Sequence, residues 1–249
     1  MSGPRFFIYA IFAASFGATS VLAGPPLITD DPDTPGPSNW EIDVAAITQH
    51  IAHEWQLQSP FLDMNYGVGD SIELTYEIGW NVFVPEGHEP VGGLDNSLLG
   101  VKWRFLDQTN AGLDISVYPQ FAFNNPTTSV QRGLAADGTS FLLPMEIGRH
   151  FGPLDIYCEP GCVVNEFGAS GGFCGIAVEY DLTEKFTIMG ELHSDFDHTF
   201  ENSDLIFNIG FQQTLTEHVA LIGSAGRAIY GPTESAPDFL SYLALQFTF

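Results

Sequence analysis

From Ser71 to Val82 the chain alternates without interruption. Ile72, Leu74, Tyr76, Ile78, Trp80 and Val82 fall on one side of an extended backbone, and Ser71, Glu73, Thr75, Glu77, Gly79 and Asn81 on the other. A β-strand sends successive side chains to opposite faces, so this segment reads as a strand with one apolar and one polar face. The pattern recurs. Leu99, Val101, Trp103 and Phe105 oppose Gly100, Lys102 and Arg104; Leu113, Ile115, Val117, Pro119, Phe121 and Phe123 oppose Asp114, Ser116, Tyr118 and Gln120. Leu205, Phe207, Ile209 and Phe211 oppose Asn208, Gly210 and Gln212, and Phe239, Leu243, Leu245, Phe247 and Phe249 share a face of the last strand. The alternation predicts twelve strands, at about 39–48, 60–68, 71–83, 96–106, 112–123, 140–149, 154–165, 172–180, 186–194, 204–213, 218–228 and 238–249.

The links between these strands alternate in length. Short ones at 68–70, 107–111, 150–153, 181–185 and 214–217 separate longer ones at 49–59, 84–95, 124–139, 166–171, 195–203 and 229–237. Short periplasmic turns and longer outer loops are typical of outer-membrane barrels, and an even strand count returns both ends to the short-turn side. The apolar faces have two readings: a soluble lipocalin-like barrel points them inward, a membrane barrel points them at lipid. The first 23 residues favour the membrane. Arg5 is the single charge before Asp30, an apolar stretch runs from Phe6 to Phe16, and small residues lead to Val21-Leu22-Ala23. This is a signal-peptide pattern with cleavage after Ala23. It is too short for a membrane anchor, and no later run reaches the roughly 18 apolar residues of a transmembrane helix. Phe249, preceded by alternating apolar residues, resembles the signal read by the barrel-assembly machinery. That machinery is then an expected partner, beside outer-membrane lipids and lipopolysaccharide. The expectation is an all-β chain, with a signal peptide over 1–23, a periplasmic Pro/Asp-rich lead-in over 24–38, and over 39–249 a transmembrane antiparallel up-and-down β-barrel of about 12 strands in the bacterial outer membrane.

Charge excludes one class of partner. Seven basic residues stand against 31 acidic ones, a net charge of −24, and nucleic-acid binding needs basic patches. With 45% hydrophobic and 13% aromatic residues, this acidity is not that of a disordered chain. If the apolar faces meet lipid, the polar faces line a lumen holding Glu41, Asp43, Asp63, Glu73, Glu77, Lys102, Arg104, Asp114, Glu146, Glu179 and Glu191. Arg or Lys on the lipid face costs ~2–4 kcal/mol near the midplane, whereas inside it can hydrate or pair. Lys102 and Arg104 lie one strand after Glu73 and Glu77, within reach for ion pairs. Such a lumen is either a narrow polar pore whose charges select the solute or a plug of ion pairs that holds a small barrel together.

No catalytic residue is assigned. His150 and His193 have no recognisable motif around them, so a Ser–His pair of the barrel-phospholipase kind is not drawn. No phosphate-binding glycine-rich loop is present, no cofactor is expected, and the chain reads as a non-enzyme. His50-Ile51-Ala52-His53 and the group His193, Asp195, Asp197 and His198 carry ligand chemistry for a divalent ion; solvated loops explain both more simply, and no metal site is predicted. Cys158, Cys162 and Cys174 are too few and too clustered for a disulfide framework, and their spacing lacks the second ligand pair of a structural zinc site. Cys162 and Cys174 lie on consecutive strands and are symmetric about Gly168. An antiparallel hairpin centred there would set them opposite each other, so a Cys162–Cys174 disulfide is expected in an oxidising compartment.

Five stretches carry a family resemblance: Pro26-Leu27-Ile28-Thr29-Asp30-Asp31-Pro32, Trp40-Glu41-Ile42, Asp63-Met64-Asn65-Tyr66-Gly67, Ile72-Glu73-Leu74 and Gly100-Val101-Lys102-Trp103-Arg104-Phe105. Together they resemble the MetA-pathway phenol-degradation family of bacterial outer-membrane transporters. The resemblance covers most of the chain after the signal and is weakest around the cysteine-bearing strands. It implies a barrel that passes small solutes, aromatic or hydrophobic ones among them, and no catalytic residues. A porin-like channel is the leading reading. A non-transporting structural or surface barrel with an ion-paired lumen is the alternative, and a membrane-embedded lipid hydrolase comes third.

Overall fold

The alternating segments are strands in the structure, a computed structural model that describes residues 26–199, 203–231 and 236–249. In chain order they are β1 (Trp40–Ile51), β2 (Glu54–Val68), β3 (Ile72–Pro85), β4 (Val91–Leu106), β5 (Asp114–Val117), β6 (Gln120–Phe123), β7 (Ser140–Phe151), β8 (Leu154–Asn165), β9 (Gly171–Thr183), β10 (Phe186–Asp197), β11 (Leu205–Thr216), β12 (Val219–Tyr230) and β13 (Phe239–Thr248). β5 and β6 are two halves of one stave. Pro119 has no N–H to give the ladder, and both halves pair with β4 on one side and β7 on the other. The sheet closes where β1 pairs with β13 from Glu41↔Thr248 to His50↔Phe239. The result is a 12-stave antiparallel barrel. The rim holding Trp40 and Phe249 is called the terminal rim below, and the opposite one the far rim.

The first hairpin is longer than the alternation predicts. β1 runs on to Ile51 and β2 starts at Glu54, so the expected 49–59 loop is mostly ladder, turning at Ala52 with φ 53°. β4 likewise starts at Val91 rather than near 96. In β2 the alternation persists, with Trp55 and Leu57 outward and Gln56 and Gln58 inward, whereas the start of β4 is glycine-rich and continues on backbone pairing.

Side-chain direction decides between the two readings of the alternation. Trp103 is 52% exposed and Trp80 45%, and Leu74, Leu99, Val101 and Phe121 are exposed with them, while Glu73, Glu77 and Lys102 are buried. Tyr76 and Ile78 keep the parity of Leu74 and Trp80 and pair with Met64 and Leu62 on that same outer face. Apolar outside and ionisable inside is the inverse of a soluble barrel and the signature of one that spans a membrane. A 12-residue strand such as β1, at about 3.3 Å per residue and a tilt near 40°, climbs roughly 30 Å, the thickness of a hydrocarbon core. No helix among the described residues is long and apolar enough to cross a membrane. The predicted signal peptide falls outside the described residues.

The lead-in departs from expectation. Residues 26–38 do not lie below the barrel in the periplasm; they fold back into the lumen, where Leu27, Thr29 and Asp30 are among the most deeply buried residues. Irregular backbone survives at membrane depth only where protein satisfies it. This segment has prolines at 26, 32, 35 and 37, hence few N–H groups to satisfy, and wall carboxylates accept several of those that remain.

Candidate functional site: a lead-in held across the lumen

The lead-in leaves β1 through a turn at Gly36 (φ 82°), where Ser38 N donates to Gly67 O at 2.9 Å. A Cβ on Gly67 would sit 1.7 Å from the Gly36 carbonyl oxygen, so only glycine admits this approach. Moving inward, Asp33 accepts from Arg104 Nη1 at 2.6 Å, and Arg104 Nη2 also donates to Asp70 O at 2.9 Å. Lys102 Nζ lies 2.6 Å from Asp30 Oδ2 and 3.6 Å from Glu146 Oε2, and donates to Asp31 O at 2.8 Å. Its ammonium also stands 5.0 Å from the Tyr118 ring centre, within cation–π range.

Deeper still, the backbone of the lead-in is read by carboxylates of the wall. Asp30 N donates to Glu159 Oε2 at 3.0 Å, while Ile28 N and Thr29 N donate to the two oxygens of Glu191 at 2.8 and 2.7 Å. Asn208 Nδ2 braces Glu191 at 2.6 Å, and Ser224 Oγ donates to Pro26 O at 2.5 Å. Leu27 packs with Tyr157, Ala177 and Met189. Ile28 lies on an inward apolar patch that includes Ile47, Phe61, Ile222 and Tyr242. Gly175 makes room for this crossing, since a Cβ there would meet Thr29 Oγ1 at 1.9 Å. The contacts run from β4 through β8, β9 and β10 to β12, so the segment crosses the lumen. It joins no ladder: beyond Ser38 it is held by side chains.

The sequence-predicted lumen residues divide into two groups. Lys102, Arg104, Glu146 and Glu191 surround the lead-in as described. Glu73 stands opposite Lys102 in the β3–β4 register. The ion pair expected between those strands goes elsewhere, however: Lys102 turns to Asp30 and Glu146, Arg104 turns to Asp33, and Glu73 accepts from Thr75 Oγ1 at 3.1 Å. Glu146 also accepts a hydrogen bond from Ser116. The second group is an acidic wall. Asp43, Asp63 and Glu77 stand in one row across β1, β2 and β3, about 4.8 Å apart by the ladder spacing, with Glu41 half-buried one step nearer the terminal rim. Tyr242 donates to Asp43 Oδ2 at 2.9 Å and Asn65 to Asp63 Oδ1 at 3.1 Å. Asp43 Oδ1 and Glu77 Oε1 have no hydrogen-bond partner among the described residues. Asp114 is buried near the terminal rim, where its Oδ1 accepts from Gln108 N at 2.8 Å. Glu179 accepts from the Tyr157 hydroxyl at 2.7 Å. Asp33 lies outside the strands, and burial, with Asp31 beside it, pushes its carboxyl up to about 6 against the pull of His150 and Arg104.

The far rim is narrowed by the loop over residues 124–139, which turns into the barrel. Asn81 Nδ2 donates to Leu134 O at 2.8 Å, Asn96 Nδ2 to Ala136 O at 3.1 Å and Asn125 Nδ2 to Asp95 O at 2.6 Å. Leu134 is completely buried there, and a Cβ on Gly93 would meet Arg132 Nη2 at 2.4 Å.

The histidine groups singled out in the sequence do not converge. His50 Nδ1 pairs with Asp238 at 2.6 Å and His53 Nδ1 with Glu86 at 3.3 Å. His193 is buried against the Phe173 ring with Asp195 at 3.5 Å, whereas His198 is exposed. The expected Cys162–Cys174 disulfide is corrected as well. The hairpin register is shifted by two from the symmetric one: Cys162 faces Gly172, Cys174 faces Pro160, and all three cysteines are free. A diagonal pair is about 7–8 Å apart, beyond disulfide reach. Glu159 and the part played by the lead-in carboxylates escape the sequence, and Tyr118, placed on the polar face, is not singled out there as a partner of Lys102. The available signal was the Asp30-Asp31-Pro32-Asp33 run set against a chain with so few cations.

No family model matches the sequence, and no curated protein matches it. Solved structures do resemble the fold. An outer membrane channel from Pseudomonas putida F1 superposes with a TM-score of 0.71 at 11% identity, over 88% of this chain and 98% of that one. The NanC porin gives 0.60 at 10% identity over 83% and 98%, and the KdgM porin 0.57 at 10% identity over 84% and 99%. The likeness is one of fold: this chain has the architecture of the outer-membrane β-barrels.

Proposed function

We propose that the protein is an outer-membrane channel for small solutes, narrowed by its 124–139 loop and closed by its own lead-in. One observation carries the reading: the lead-in crosses a charged lumen on side-chain contacts alone, without entering the sheet. A segment held in that way can leave while the barrel stays intact. The terminal rim then faces the periplasm. The passage it vacates is lined by Asp43, Asp63, Glu73 and Glu77, a wall that favours cations. Phe61, Phe173, Tyr157 and Tyr242 add buried aromatic surface beside it, which suits the small aromatic compounds implied by the family resemblance. The structures described as a channel and as porins support the same class. A filled lumen also fits a non-transporting structural barrel, and conductance separates the two. In planar bilayers the full barrel is expected to conduct in brief openings, and a chain exported without residues 24–38 to conduct steadily with cation preference. Glu77→Gln should weaken that preference. Liposomes holding the shortened barrel should admit phenol-sized solutes. A shortened barrel that folds and does not conduct would leave the structural reading standing.

A further inference from the structure

Three side chains from three parts of the chain meet at the terminal rim: Asp33 of the lead-in, Asp114 of β5 and His150 near the end of β7. His150 Nε2 is 3.4 Å from Asp33 Oδ2 and 3.8 Å from Asp114 Oδ2, and a ligand atom from each of the three residues lies within 4.8 Å of the other two. Each is held from behind by a different group. Asp155 Oδ1 takes His150 Nδ1 at 2.6 Å, Arg104 holds Asp33 Oδ1 at 2.6 Å, and Gln108 N holds Asp114 Oδ1 at 2.8 Å. The bond to Asp155 engages Nδ1 and leaves Nε2 aimed at the two free carboxylate oxygens. A carboxylate behind a histidine whose other nitrogen faces further ligands is the usual outer shell of a metal-bound imidazole.

We propose that Asp33, Asp114 and His150 form a site for a divalent transition-metal ion of the zinc type, which staples the lead-in to the barrel wall. Distances fit. Zn–N and Zn–O bonds of about 2.0–2.1 Å in a tetrahedron put ligand atoms roughly 3.3 Å apart, close to the two separations from Nε2 and reached for the third by a small closing movement. Charge fits as well. Once an ion displaces the imidazole proton, Asp33, Asp114 and Asp155 outnumber Arg104 by two negative charges, and a divalent ion cancels that excess. Asp114 is deeply buried, which fixes one ligand, while His150 and Asp33 are partly exposed, which gives an ion a way in. A cleft of about 60 Å³ lined by Asp31, Pro32, Asp33, His150, Asp155 and Tyr157 adjoins the site. It has room for the water that would complete three protein ligands. The mixed nitrogen and oxygen set favours zinc over calcium or magnesium, which prefer all-oxygen sites.

The inference does not rest on the channel reading, and its test does not use conductance. The full barrel, purified in detergent and stripped with EDTA, is titrated with Zn²⁺ against a chromophoric chelator at neutral pH. One ion per chain is expected. Affinity should fall at least tenfold in His150→Gln and in Asp33→Asn, and about ten- to a hundred-fold in Asp155→Asn, which touches no metal. His218→Gln, at another turn of the same rim, should leave it unchanged. Co²⁺ added to the unmutated barrel should give the intense visible bands of a low-symmetry site, a readout that needs no variant. Substoichiometric zinc uptake, or a titration that survives His150→Gln, would overturn the proposal and leave His150 as an imidazolium shared among three carboxylates.

Discussion

Replacing Lys102 by methionine keeps the length and the apolar stem of the side chain and removes its charge. In the lumen that charge answers Asp30 at 2.6 Å, Glu146 at 3.6 Å and the Asp31 carbonyl at 2.8 Å. Removing one partner of a buried ion pair costs about 3–5 kcal/mol, because the remaining charge stays buried without compensation. The barrel has a way to relieve most of this: it can release the lead-in and let water reach Asp30. At ~1.4 kcal/mol per decade, the ratio of docked to released lead-in should fall by roughly two to three and a half powers of ten. Thr29→Cys, in a background with Cys158, Cys162 and Cys174 changed to serine, reports that ratio through labelling by a polar maleimide. The residue is buried when the lead-in is docked. Labelling should accelerate by a similar factor in Lys102→Met and slow again when Asp30→Asn is added. If Lys102→Met labels at the parent rate while the barrel keeps its heat-modifiable gel mobility, the ammonium is not what holds the segment.

Three further outcomes are expected. Ile78→Arg, at the middle of β3 on the outer face, should lower the urea stability of the lipid-embedded barrel by ~2–4 kcal/mol; no loss would place Ile78 away from hydrocarbon. Gly175→Val should free the lead-in without altering any charge, because even a Cβ would meet Thr29 Oγ1 at 1.9 Å, and unchanged maleimide labelling of Thr29→Cys would refute that. On the far side, burial and the neighbouring Asp195 raise the Asp204 carboxyl from 3.8 to about 6. The closed Asp195–Asp204 contact therefore binds a proton more tightly than the opened one, a stabilisation fully present below pH ~4 and lost as pH rises through 6. Amide exchange around Asp195 and Asp204 should be slower at pH 5 than at pH 8, and Asp204→Asn should abolish the difference.

The barrel was legible because its walls obey a period of two. Glu73 to Lys102 and Leu74 to Trp103 announce their faces by chemistry alone, and the charge asymmetry between those faces makes sense only around a polar interior. Where the pattern lapses, the sequence is silent for identifiable reasons. Gln49 to Ser59 extends a ladder in which only Trp55 and Leu57 mark the outer face, too short an alternation among polar neighbours to stand out from a loop. The hairpin over Cys162 and Cys174 chose a register two residues from the symmetric one, because loop composition does not fix pairing as a buried face does. The lead-in shows the larger gap. Its prolines correctly excluded a strand, but nothing local says that Asp30 and Asp33 would seek the cations of β4, or that Glu159 and Glu191 would accept from its backbone. Those are contacts between positions 71 to 163 residues apart, and only the closed barrel brings them together.

That remoteness gives assembly a direction in time. Pro26 binds Ser224 across 198 positions and Ile28 binds Glu191 across 163, so the surface on which the lead-in rests is complete only when almost every stave is in place. Contacts of such long separation form late. The segment that precedes the first strand should therefore be the last to settle, and it can settle only on a wall in correct register. Its burial thus acts as a seal of finished assembly. During refolding, protease should clip residues 26–38 until the β1–β13 seam has zipped and spare them afterward, and a barrel halted with that seam open should remain marked for degradation by its own loose end.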